Sequence, residues 1–165
     1  MPHASQLSPN RSRRAARSDR GFLETPEINV LLFSALLNLP WEFIQVPLFE
    51  GMAEAGHWEA TRICLRAALG DALMSVLAYL VAALLVRDRY WVMAPSVGAV
   101  AAFLALPLAA TVVIERLALA GMWMEGWTYS ALMPVVPLLG IGLSPLVQWI
   151  VLPPAVLWLV QRQIR

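Results

Sequence analysis

Residues 29–49 read NVLLFSALLNLPWEFIQVPLF, 21 residues with one full charge, Glu42. At 1.5 Å of rise per residue, such a stretch covers the ~30 Å hydrocarbon core of a bilayer. Two stretches of the same kind follow: 67–86 (AALGDALMSVLAYLVAALLV), with Asp71 inside it, and 91–114 (WVMAPSVGAVAAFLALPLAATVVI), with Glu115-Arg116 at its far end. Residues 129–162 are 34 mostly apolar positions, too many for one straight crossing and too few for two and a turn. Ser144-Pro145 reads as an N-cap followed by proline at the first helical position, which places the last helix over 145–160. Ahead of it, YSALMPVVPLLGIGL (129–143) carries Pro134, Pro137, Gly140 and Gly142. Such a broken piece is expected to lodge against the bundle, whether re-entrant, interfacial or part of a fifth span. The expected fold class is all-α, a polytopic transmembrane helical bundle of about four spans with this Pro/Gly-broken segment before the last helix.

Composition agrees. Of 165 residues 59% are hydrophobic and 14% charged, with a mean hydropathy of +0.66, more apolar surface than one soluble core of this length hides. The principal partner is therefore the lipid bilayer. A net charge of +1 lacks the basic surplus of a nucleic-acid binder. All twelve basic residues are Arg, a bias we read as that of a GC-rich bacterial genome. Cys64 is the single cysteine, so no intramolecular disulfide or multi-cysteine metal site forms.

Residues 1–20 (MPHASQLSPNRSRRAARSDR) hold five Arg and almost nothing apolar, and are expected to be a disordered basic tail. Arg13-Arg14 and the lack of acid before Asp19 partly suit a targeting peptide. No small-residue cleavage site follows the first apolar stretch, however, so residues 21–165 are expected to form one transmembrane domain. Five Arg in the tail, Arg87 and Arg89 in the link, and Arg162 and Arg165 at the end put nine of twelve on one side of a four-span arrangement. The positive-inside rule then places both termini in the cytoplasm, in a bacterial inner membrane.

The residues that carry chemistry are polar groups kept inside lipid. Asn38, Glu42 and Gln45 follow one another at i, i+4 and i+7, so 100° per residue brings them onto one helical face. A carboxylate in a span costs about 2.5–3.5 kcal/mol on insertion scales, so Glu42 is expected to face the bundle. Asp71, Glu115 and Gln148 fall at matching depth on the other three spans, and Trp127 and Tyr129 flank the broken segment on that side. If the helices close in chain order, these eight residues are expected to line a polar pocket opening outward. His57 and Glu59, in the first outer loop, are the only addition toward a metal site. No H-x-x-x-H, H-E-x-x-H or E-x-x-H spacing supports one, no cofactor is implied, and without a nucleophile motif no reaction is named.

The run Asn38-Leu39-Pro40-Trp41-Glu42-Phe43-Ile44-Gln45-Val46-Pro47-Leu48-Phe49, followed by Gly70-Asp71, resembles a group of small bacterial multi-pass membrane proteins with W-E-x-x-Q-x-P-L and G-D elements and no assigned activity. The resemblance covers about the first half of the chain and implies a membrane location. Three functions are expected, in descending order. The first is a pocket that binds or acts on an amphipathic molecule or lipid. The second is a structural or assembly subunit held to a second copy or another membrane protein, and the third a proton- or ion-coupled transport component. Transport ranks last because the third span displays no polar face.

Overall fold

The computed structural model describes residues 24–124 and 126–165; the basic tail expected over 1–20 lies outside the described residues, as does Glu125. Four long helices make up the protein: α1 (Pro26–Gln45), α2 (His57–Val86), α3 (Val97–Leu119) and α4 (Leu143–Ile164). A 3-10 turn at Val46–Leu48 extends α1, and all four are long and apolar enough to cross a membrane. The two strands among the described residues, β1 (Val135–Val136) and β2 (Ile141–Gly142), form an antiparallel hairpin. The chain is thus an all-α membrane bundle, and the broken segment of 129–143 contains this hairpin. Each helix packs against its chain neighbours and α4 returns to α1, so chain order is ring order.

Local chemistry sets the helix ends. Thr25 is extended, Pro26 supplies a preset φ to the first turn of α1, and Glu27 sits at the positive end of the helix dipole. α2 begins at His57 instead of 67, because HWEATRICLR continues the helix although it is too polar to read as a lipid-spanning window. It ends at Arg87, whose left-handed φ of 55° turns its N–H back onto the carbonyls of Ala83 and Leu84. α3 begins at Val97 instead of 91: the Ser96 hydroxyl accepts the Ala99 N–H at 3.2 Å, and Trp91–Met93 forms a separate 3-10 turn. α4 begins at Leu143, capped by extended Gly142, because β2 runs straight into the helix; Ser144 is not the cap.

The faces are sorted opposite to those of a water-soluble bundle. On α2, Cys64, Ala68, Ala72, Ser75, Tyr79 and Ala82 are buried at steps of three and four, while Leu69, Leu73, Leu77 and Leu84 are more than half exposed. Such exposed leucines suit lipid, and small inward residues let the backbones approach. Asn29, Ser34, Asn38, Gln45, Thr111, Glu115 and Gln148 lie inside with them.

Two ends result. At the Arg89 end, Trp91 stacks on Tyr79 with centroids 5.0 Å apart, and the Phe103 ring approaches both. The Tyr79 hydroxyl donates to the Arg89 carbonyl at 2.7 Å, and the Trp91 indole N–H to the Tyr79 carbonyl at 3.3 Å. The opposite end, where α1 finishes and α4 starts, holds Asn38, Gln45, Glu115 and Gln148.

Candidate functional site

Gln148, on the second turn of α4, stands at the centre of the polar end. Its amide Nε2 lies 2.7 Å from Asn38 Oδ1, 2.7 Å from Asp71 Oδ2 and 3.2 Å from Glu42 Oε1. Its carbonyl Oε1 accepts from Gln45 Nε2 at 3.1 Å. An amide has two hydrogens, so the two short contacts take them and Glu42 is left with the longest approach. Five of the sequence-derived candidates from three helices therefore form one network, with the i, i+4, i+7 face of α1 as one wall.

Glu115 of α3 makes a second cluster. Its Oε2 accepts from the Trp127 indole N–H at 3.2 Å and from the Tyr129 hydroxyl. That hydroxyl in turn accepts the Gly142 N–H at 2.8 Å, which ties the start of α4 to the carboxyl of α3. Burial and the neighbouring Glu115 carboxyl push the Tyr129 phenol well above the ordinary tyrosine value. Thr111, buried one turn before Glu115, gives α3 a polar face after all; the sequence concealed it because threonine reads as a β-branched apolar filler in a run of Val and Ala.

A strap lies over this end. Leu48–Glu50 runs antiparallel to Thr128–Ser130, with the Glu50 N–H on the Thr128 carbonyl and the Ser130 N–H on the Leu48 carbonyl, both at 3.0 Å. Phe49 meets Trp127 and Tyr129 edge to face at 6.3 and 5.6 Å. Arg116 pins the hairpin behind it through the Leu139 carbonyl at 3.2 Å. Gly140 turns the hairpin at φ +65°, a left-handed conformation in which a side chain would be strained.

The eight candidates thus fall into two clusters, but they do not line an open cavity. Their side chains meet each other, and grooves of about 820 and 350 Å³ open elsewhere. His57 and Glu59 sit exposed on the first turn of α2, His57 against the Trp58 ring, and join neither cluster. Among the described residues no three His, Cys, Asp or Glu side chains are placed to hold a metal ion. The glycine of the Gly70-Asp71 element serves no close approach, since a Cβ there meets nothing within 4 Å.

Acceptors outnumber donors in the network. Glu42 and Asp71 present four carboxyl oxygens, and among the described residues no basic side chain bridges them; the ion pair found is Arg89 with Glu27 at the other end. Two donors on α1 go unused, since Ser34 Oγ and Trp41 Nε1 are buried without a partner. No family model, curated protein or solved structure matches the chain.

Proposed function

We propose that this integral membrane protein binds the polar head of an amphipathic molecule at the Glu42–Asp71–Gln148 network, with the strap of Leu48–Glu50 and Thr128–Ser130 opening to admit it. The observation that carries the reading is the acceptor excess: half-buried carboxyl oxygens with one shared amide donor and no basic partner among the described residues suit a head group that brings hydroxyl or ammonium hydrogens. The network is the outer-facing end of the bundle in this reading, with both termini in the cytoplasm of a bacterial cell, because nine of twelve Arg precede α1, follow α2 or end α4 in the sequence. Alkaline phosphatase fused at Arg165 is expected to be inactive and at Gly56 active; activity at Arg165 contradicts that orientation.

The test of binding is what the purified protein retains. Glu42→Gln and Asp71→Asn keep the shape of the network while removing its carboxyls. Mass spectrometry is expected to find a co-purifying amphiphile in the wild type that both variants lack, with melting temperatures within a few degrees. A second reading is favoured by the closure of the network: the same bonds serve as interhelical glue in a structural or assembly subunit. It predicts equal ligand content in all three proteins together with a loss of stability in each variant.

A further inference from the structure

The larger of the two grooves lies far from that network, at the Arg89 end, between the first turn of α1 and the last turns of α2. Its volume is about 820 Å³ and its lining includes Ile28, Leu80, Ala83 and Leu84 together with Arg87 and Arg89. The walls are apolar and the rim is basic. Leu80 is 39% and Leu84 77% exposed, so the floor of the groove opens sideways toward the lipid that surrounds the bundle.

The charges at the rim do not cancel. Arg89 gives two of its five N–H donors to Glu27, at 2.7 and 2.9 Å. Arg87 has no hydrogen-bond or ion-pair partner for its guanidinium among the described residues, and its left-handed backbone ends the helix directly at the groove mouth. Asp88 does not line the groove; its carboxylate accepts the Tyr90 N–H at 2.8 Å. Two guanidiniums against one lining carboxylate leave a single uncompensated positive charge above an apolar trough at the end of a membrane helix. A monoanionic phosphodiester carrying acyl chains complements this in charge and shape, the phosphate meeting Arg87 and the free donors of Arg89, and a chain lying along Ile28, Leu80 and Leu84.

We infer that the groove between α1 and α2 is a binding site for an anionic phospholipid, with Arg87 as its principal phosphate contact. The inference needs only the membrane bundle and is independent of the ligand proposed at Gln148. Full-length protein is reconstituted in nanodiscs of equal parts phosphatidylglycerol and phosphatidylcholine, released in the mass spectrometer, and the retained lipid counted.

One phosphatidylglycerol per chain is expected, enriched over phosphatidylcholine about fivefold, the factor one arginine supplies near an anionic surface. Arg87→Asn, chosen because asparagine tolerates the left-handed turn, is expected to return the retained lipid to the bilayer ratio, whereas Arg62→Asn at the opposite end leaves the enrichment intact. Ala83→Trp, which fills the trough and keeps every charge, is expected to abolish retention of both lipids and covers the case in which Arg87→Asn fails to fold. Equal retention of the two lipids by the wild type overturns the proposal. So does undiminished enrichment in either groove variant.

Discussion

At the Arg89 end, Tyr79, Trp91 and Phe103 fill the space between α2 and α3 with three rings whose polar atoms are satisfied by backbone carbonyls. At the Gln148 end the same helices meet through side-chain amides and carboxyls, with Gln148 in α4 reaching the diagonally placed α2. In lipid the hydrophobic effect gives no drive to press helices together, so shape complementarity and interhelical hydrogen bonds must do it. The aromatic end uses the first and specifies how the helices fit. The polar end uses the second and concentrates reactive groups where packing alone needed none, which is what separates a candidate site from a core.

Removing a ring at the packed end should give the largest loss. Phe103 is fully buried, so Phe103→Ala opens a cavity that its neighbours fill only in part, at a cost of about 3 kcal/mol. Thermal or steric-trap unfolding in bicelles is expected to report that loss with ligand content unchanged; a loss of ligand as well would mean that the two ends are coupled. Gln148→Leu comes next, at about 2 kcal/mol, because it strands the buried acceptor of Asn38 and the half-buried carboxyl of Asp71. It should remove the retained ligand too. A neutral Gln148→Leu would show that the carboxyls are satisfied without it.

The distinction between the two ends was half legible in the sequence. The spacing of Asn38, Glu42 and Gln45 gives one wall of the network from helical periodicity alone, since a charge in an apolar span must turn inward. Glu115, Trp127 and Tyr129 are brought together by ring closure and the strap, at the end of the bundle where that wall stands. That Gln148 is the hub was not readable, because a lone amide on an apolar helix gives no sign of which of three facing helices it will reach; ring closure decides that. The strap was hidden for a different reason. Segments as short as Leu48–Glu50 and Thr128–Ser130 have no alternation to detect, and their pairing spans the whole middle of the chain. Hydropathy likewise missed the first turns of α2, since a helix can run beyond the lipid and the window cannot see it.

The strap supplies a smaller effect with its own pH signature. Tyr129→Phe removes the donor to Glu115 and the acceptor of the Gly142 N–H, for about 1 kcal/mol. The Tyr129 value is raised in the folded state, so its contribution is complete below the ordinary tyrosine value near 10 and declines as pH rises through the folded value, the unfolded chain ionising first. Wild-type stability should therefore fall above about pH 10, and Tyr129→Phe should flatten that slope. An identical slope in both proteins would remove Tyr129 from the latch.

The smallest effect is expected at the ion pair that joins α1 to the link after α2. Arg89 meets Glu27 through two nitrogens, the good geometry for such a pair, yet its side chain is 57% exposed, and water and salt screen most of the attraction. The link is also held without the guanidinium, because the Tyr79 hydroxyl donates to the Arg89 main-chain carbonyl, which no side-chain substitution removes. Arg89→Gln should therefore cost only about 0.5 kcal/mol in lipid-free detergent, shrinking further in high salt. A double-mutant cycle with Glu27→Gln isolates the pair from any effect of Arg89 on bound lipid. A coupling above about 2 kcal/mol would exceed what exposed pairs supply, and would make the Arg89 end, like the Gln148 end, dependent on buried polar chemistry and not on the fit of its three rings.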